Sequence, residues 1–174
     1  DTVIPVSALA PDAPDDIRSL IANWDAIAPR LANAETSQAG LPLASVTLLA
    51  PVDAPQKVVA IGLNYADHIE EARGAGVTIP TEQVWFAKQP GTINDPFAPI
   101  ELPRVSDKLD YEVELVAVIG KGGRHISAAD APMHVFGYLV GNDVSVRDWQ
   151  TRTQQWMLGK SFDTHGPIGP AIVT

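Results

Sequence analysis

The chain has 174 residues, of which 45% are apolar and 19% charged, a balance that suits a globular unit with a sizeable core and excludes a disordered chain. A formal net charge of -9 argues against nucleic acid or an anionic membrane as partner, because both attract basic surfaces. The absence of cysteine excludes disulfides, thiolate metal sites and a cysteine nucleophile.

No window approaches the roughly 18 consecutive apolar residues of a membrane span. No basic segment followed by an apolar one opens the sequence, so a cytoplasmic protein is expected. The first residue is Asp1 and not Met, which suggests a trimmed sequence.

Residues 1–14 are short apolar pieces broken by Pro5, Pro11 and Pro14. Ile17, Leu20, Ile21, Trp24, Ala28 and Leu31 then recur at helical steps. They predict one amphipathic helix with Asp15 and Asp16 in its first turn and Trp24 as a core anchor. Residues 32–44 read as a polar loop, and Val46, Leu48 and Leu49 as a short strand ending at Pro51. A linker at 53–56 predicts a boundary between a small N-terminal region, 1–56, and a main unit, 57–174.

The main unit opens with a strand over Lys57–Gly62, followed by a helix from Asn64 to Glu71 that Gly74 and Gly76 end. Val84–Lys88 is a strand, 89–99 a loop, and Ile100 with Leu102 a short strand. Asp110–Gly120 reads as one mostly buried strand. Ser127 and Asp130 match a capping box opening a short helix to His134. Phe136–Val140 is a strand with a turn at Gly141–Asn142, residues 147–158 lack a clear period, and 159–170 form an ordered loop. Ala171–Val173 starts like a strand.

Alternation along a strand puts Glu112 and Glu114 on one side, within an apolar run. Two such carboxylates repel each other and resist burial, and a hard dication removes both difficulties. Asp143, after the neighbouring strand, is a third oxygen ligand, with a turn aspartate as the plain alternative. His68 and Glu71, three apart on a helix, can act as a general base, and an incidentally charged solvated face is an equal alternative. Lys160, in a glycine- and proline-rich loop, can hold a carboxylate or stabilise a developing enolate. Arg147, Gln150 and Arg152 are further polar candidates. His125, His134 and His165 show no metal-ligand spacing and read as structural or surface residues.

Assembled in order, these segments resemble the fumarylacetoacetate hydrolase family. The matching pieces are Gly62–His68, Phe86–Lys88, Asp110–Leu115, Gly141–Gln150, Gly159–Thr164 and Gly166–Pro170. The resemblance implies an α+β, predominantly β fold, a mixed β-roll, in a homodimer. It implies one Mg²⁺ (Mn²⁺ or Ca²⁺ possible substitutes) on Glu112, Glu114 and Asp143, with His68 and Glu71 activating water. Lys160 is then catalytic, and Gln150 and Arg147 contact a small 2-oxo acid.

The expected reaction is hydrolysis of a C–C bond in acylpyruvate-like acids through an enolate on the metal. Decarboxylation of oxaloacetate, isomerisation or hydro-lyase chemistry is the alternative within the family, and an inactive metal-binding scaffold the alternative outside it. Relatives of this kind continue beyond the Gly166–Pro170 segment, so a truncated C-terminus is expected.

Overall fold

A computed structural model describes residues 1–34 and 40–174; the part of the expected 32–44 loop at 35–39 lies outside the described residues. In chain order the elements are β1 (Thr2–Val3), α1 (Val6–Leu9), α2 (Ile17–Ala22), α3 (Trp24–Ala32) and β2 (Leu41–Pro42). Next come β3 (Val58–Gly62), α4 (Ala66–Gly74), β4 (Val84–Lys88), β5 (Ile93–Asn94), β6 (Leu109–Asp110) and β7 (Val113–Ile119). The last are β8 (Val135–Asn142), β9 (Ser145–Val146), α5 (Arg147–Gln150) and β10 (Gly166–Val173). The fold is α+β and predominantly sheet. Among the described residues no helix is long and apolar enough to cross a membrane.

The main sheet has the order β5-β10-β8-β7. β8 runs antiparallel to both neighbours, and β10 runs parallel to β5, so the sheet is mixed. β3 and β4 form a separate antiparallel pair, as do β6 and β9. The N-terminal helices lie against the main sheet, where Trp24 meets Phe136 edge-on with ring centroids 5.1 Å apart.

Five expectations need correction. The single helix over 15–31 is two, because Asn23 ends α2 and begins α3, and its side chain donates to Ser19 O at 2.8 Å. Asp16 is the cap of α2 and not a first-turn residue, accepting from Ser19 N at 2.8 Å. The segments 46–49 and 100–102 are not strands; Asp95 accepts from Ala50 N just after the first, and Thr164 Oγ1 from Glu101 N within the second. Gly141 and Asn142 extend β8 and do not form a turn, and the expected loop to residue 170 gives way to β10 at Gly166.

The fifth correction concerns β7. Its apolar run suggests burial, but among the described residues β7 is an edge strand paired only with β8, and it alternates. Val113 and Leu115 are 68% and 67% exposed, and only the opposite face, which carries Glu114, turns inward. The two largest fully buried side chains are Lys160 and His165.

Candidate active site

The backbone sets the carboxylates opposite one another. β6 pairs with β9 at Asp110↔Ser145, and β7 pairs with β8 at Val113↔Asn142, so Glu112 and Asp143 face each other in the break between the ladders. Two hydrogen bonds close that break: Asp143 N donates to Glu112 O at 2.8 Å, and Glu112 N to Asn142 Oδ1 at 3.0 Å. Glu114, two residues on, projects to the same side. One ligand oxygen from each of Glu112, Glu114 and Asp143 lies within 4.8 Å of the others.

Cations surround two of the three acids. Asp143 is 5% exposed and Lys160 1%; Lys160 Nζ bridges Asp143 Oδ2 at 2.7 Å and Glu112 Oε2 at 2.8 Å. Lys88 Nζ, also buried, sits 2.7 Å from Asp143 Oδ1 and donates to Val144 O at 3.1 Å. Lys88 was not singled out from the sequence. A lysine closing the apolar strand Val84–Lys88 was the available signal, but its partners lie about 55 residues away.

Arg147 has its Nε and Nη2 on Asp110 Oδ2 at 2.8 and 2.7 Å, while Nη1 donates to Glu112 Oε1 and to Gln150 Oε1 at 3.0 Å. The guanidinium is therefore occupied in holding Glu112 and Gln150. Lys160 is placed by Gly159, where a side chain would collide with the Gln150 backbone, and Gly159 O accepts from Val146 N at 2.8 Å.

Titration behaviour separates the acids. Burial pushes Glu112 up, but Lys160 and Arg147 outweigh it and hold the carboxyl below its usual range. Glu114 moves the other way: burial raises it, the neighbouring Asp143 and Glu112 charges add to this, and Tyr65 opposes only in part. Burial lowers the Lys88 ammonium against the attraction of Asp143.

The donor set suits a hard divalent cation. All three ligands are carboxylates, their span can be bridged by metal–oxygen bonds of about 2.0–2.6 Å, and Glu114 has no ion pair among the described residues. Asp143 Oδ1 is buried without a directed hydrogen bond despite the nearby Lys88.

His68 and Glu71 sit on α4 in a different setting. His68 Nδ1 is 3.7 Å from Glu71 Oε2, and the two side chains are 56% and 80% exposed. The helix ends with Gly76 N and Val77 N donating to Arg73 O and Ala72 O, and Ala72 is its one buried residue. His68, Glu112, Glu114, Arg147, Gln150 and Lys160 line one cavity of about 60 Å³, and Phe86 and Trp156 form an aromatic wall to it. Glu71 and Asp143 do not line it.

The profile of the fumarylacetoacetate (FAA) hydrolase C-terminal family matches residues 57–174. The chain belongs to the fumarylacetoacetate hydrolase family. It is 44% identical to human mitochondrial oxaloacetate tautomerase FAHD2A over 175 residues, covering 99% of this chain and 55% of that protein. The chain thus spans about half the length of the curated relatives it matches.

A crystal structure of fumarylacetoacetate hydrolase from the psychrophile Exiguobacterium antarcticum superposes with a TM-score of 0.79 at 38% identity, covering 97% of this chain and 58% of that one. The 5-carboxymethyl-2-hydroxymuconate delta-isomerase of Mycobacterium smegmatis gives 0.68 at 42% identity, covering 82% and 53%. Membership in this family of enzymes and an acidic cluster able to hold a metal agree. The names of these relatives denote tautomerisation and isomerisation as well as hydrolysis.

Proposed function

We propose that the chain carries the catalytic core of a 2-oxo acid enzyme that moves a proton at the carbon beside the ketone, with keto–enol interconversion of oxaloacetate as its reaction. The observation that carries this reading is that Glu112 and Glu114, grouped with Asp143 as one possible ligand set, line a cavity that His68 also lines. The likeness to an oxaloacetate tautomerase supports it. Mg²⁺ held by the three carboxylates would supply Lewis-acid polarisation of the 2-oxo group.

The chain's own residues do the proton work. Glu71 faces Nδ1 of His68, so that with the proton on Nδ1 the Nε2 lone pair is left for the substrate. Neutral Nε2 takes the proton from carbon 3, the C–H electron pair becomes the C2–C3 double bond, the C2–O π pair moves onto the oxygen, and the imidazolium so formed gives its proton to that oxygen. Lys160 contributes positive charge beside that oxygen. Gln150, whose Oε1 is held by Arg147, keeps its amide hydrogens free to orient the substrate. Arg147 itself acts as a positioning residue.

A second reading, hydrolytic cleavage of an acylpyruvate C–C bond, is favoured by the same His68–Glu71 pair, which can deprotonate water beside the cavity. The deciding experiment follows oxaloacetate enol by ultraviolet absorbance and acylpyruvate cleavage by product analysis, each with Mg²⁺ and with chelator. Tautomerisation predicts chelator-sensitive loss of enol without pyruvate release. Pyruvate and a free acid from acylpyruvate, with no effect on the enol, would transfer the proposal to hydrolysis.

A further inference from the structure

We propose that Trp156, backed by Phe86, limits the length of the acid admitted and restricts this site to four-carbon 2-oxo dicarboxylates; the inference rests on the cavity being a 2-oxo acid site. Trp156 heads a short 3₁₀ turn, Trp156–Leu158, and its indole lies over Gly62 so closely that a Cβ there would be 2.5 Å from Cζ3. On the other side the indole meets Phe86, with centroids 5.4 Å apart and planes tilted by 58°. The ring therefore has β3 beneath it and β4 beside it. Both rings line the cavity that the carboxylates line.

The wall is tied to the charged groups. Lys160 N donates to Trp156 O at 3.2 Å, and Lys160 Nζ is 4.9 Å from the centre of the Phe86 ring. Displacing the indole therefore disturbs the turn that carries Lys160. The cavity is small, about 60 Å³, and the indole bounds one side of it. That admits the reacting end of a short acid. Three further carbons in the chain must push against the indole, and misfit of this kind discriminates by about 10- to 200-fold per methylene-scale difference.

The test is calorimetric binding in Mg²⁺ buffer of fresh oxaloacetate and of 2-oxoheptanedioate to the 174-residue chain, to Trp156→Ala and to Trp156→Phe. The wild-type chain is expected to prefer the four-carbon acid by at least about tenfold. Trp156→Ala should reduce that preference about tenfold, mainly by tightening the seven-carbon acid, with Trp156→Phe between. Equal affinities in the wild type, or a preference unchanged in Trp156→Ala, would overturn the proposal while leaving the 2-oxo acid site standing. If Trp156→Ala binds neither acid because it misfolds, an unchanged preference in Trp156→Phe overturns it instead. Binding of neither acid by the wild type would overturn the 2-oxo acid reading itself, and this inference with it.

Discussion

The two halves of the candidate machinery are built in opposite ways. Glu112, Asp143, Lys88 and Lys160 interlock across the break between two strand ladders, and the two lysines and Asp143 are almost fully buried. His68 and Glu71 stand on a helix that sinks one side chain, Ala72, into the body of the protein. The buried half is fixed by backbone register and by charges that cannot separate without exposing an unpaired ion. The helix is anchored by fewer buried side chains than the charged cluster. In the proposed reading the buried half binds charge and the helix moves protons.

The comparison breaks most visibly at Lys88. Lys88→Met strips one cation from buried Asp143, and loss of a single partner in a buried pair costs about 3–5 kcal/mol. Urea denaturation without added metal is expected to show a loss on that scale, and a change under about 1 kcal/mol would mean that Asp143 is not dependent on Lys88. His68→Ala tests the other half. Its stability should stay within about 0.5 kcal/mol of the parent, while turnover of oxaloacetate enol falls by about 100-fold or more. An unfolded His68→Ala, or one with full turnover, would erase the contrast.

The smallest effect sharpens the boundary of the buried half. His165 is fully buried with Nε2 on Glu101 O at 2.9 Å, and burial, aided by the Lys88 charge, lowers its imidazole below the ordinary value. The unfolded chain then binds a proton that the folded chain refuses. Stability contributed by neutral His165 is present above about pH 6.5 and is lost as pH falls toward the lower folded value, by at most about 1.4 kcal/mol per pH unit. Denaturation midpoints between pH 7.5 and 5.5 should decline in the parent and decline less in His165→Asn.

Much of the candidate site was legible because its residues obey short-range rules. Period-two alternation put Glu112 and Glu114 on one side, a neighbouring strand brought Asp143 to them, and three-residue spacing joined His68 to Glu71. An apolar run does not reveal whether a strand lies at an edge, and Val113 and Leu115 face outward. Lys88 escaped notice because its role depends on a contact between β4 and the segment after β8, which no local pattern encodes. Arg147 was expected to touch substrate, whereas its three donor nitrogens already serve Asp110, Glu112 and Gln150. At 100–102, Thr164, distant in sequence, takes the hydrogen bond of Glu101 N that a neighbouring strand would have taken.

The central claim is that three carboxylates from two segments hold one divalent cation. Calorimetric titration of Mg²⁺ into the chain and into Glu114→Gln tests it most directly, because Glu114 is the acid with no ion pair among the described residues. The account predicts one saturable site in the parent, weakened at least about 100-fold in Glu114→Gln, at or beyond the 10- to 100-fold range seen when a metal's outer-shell partners are lost. No uptake by the parent, or equal uptake by both proteins, would contradict it.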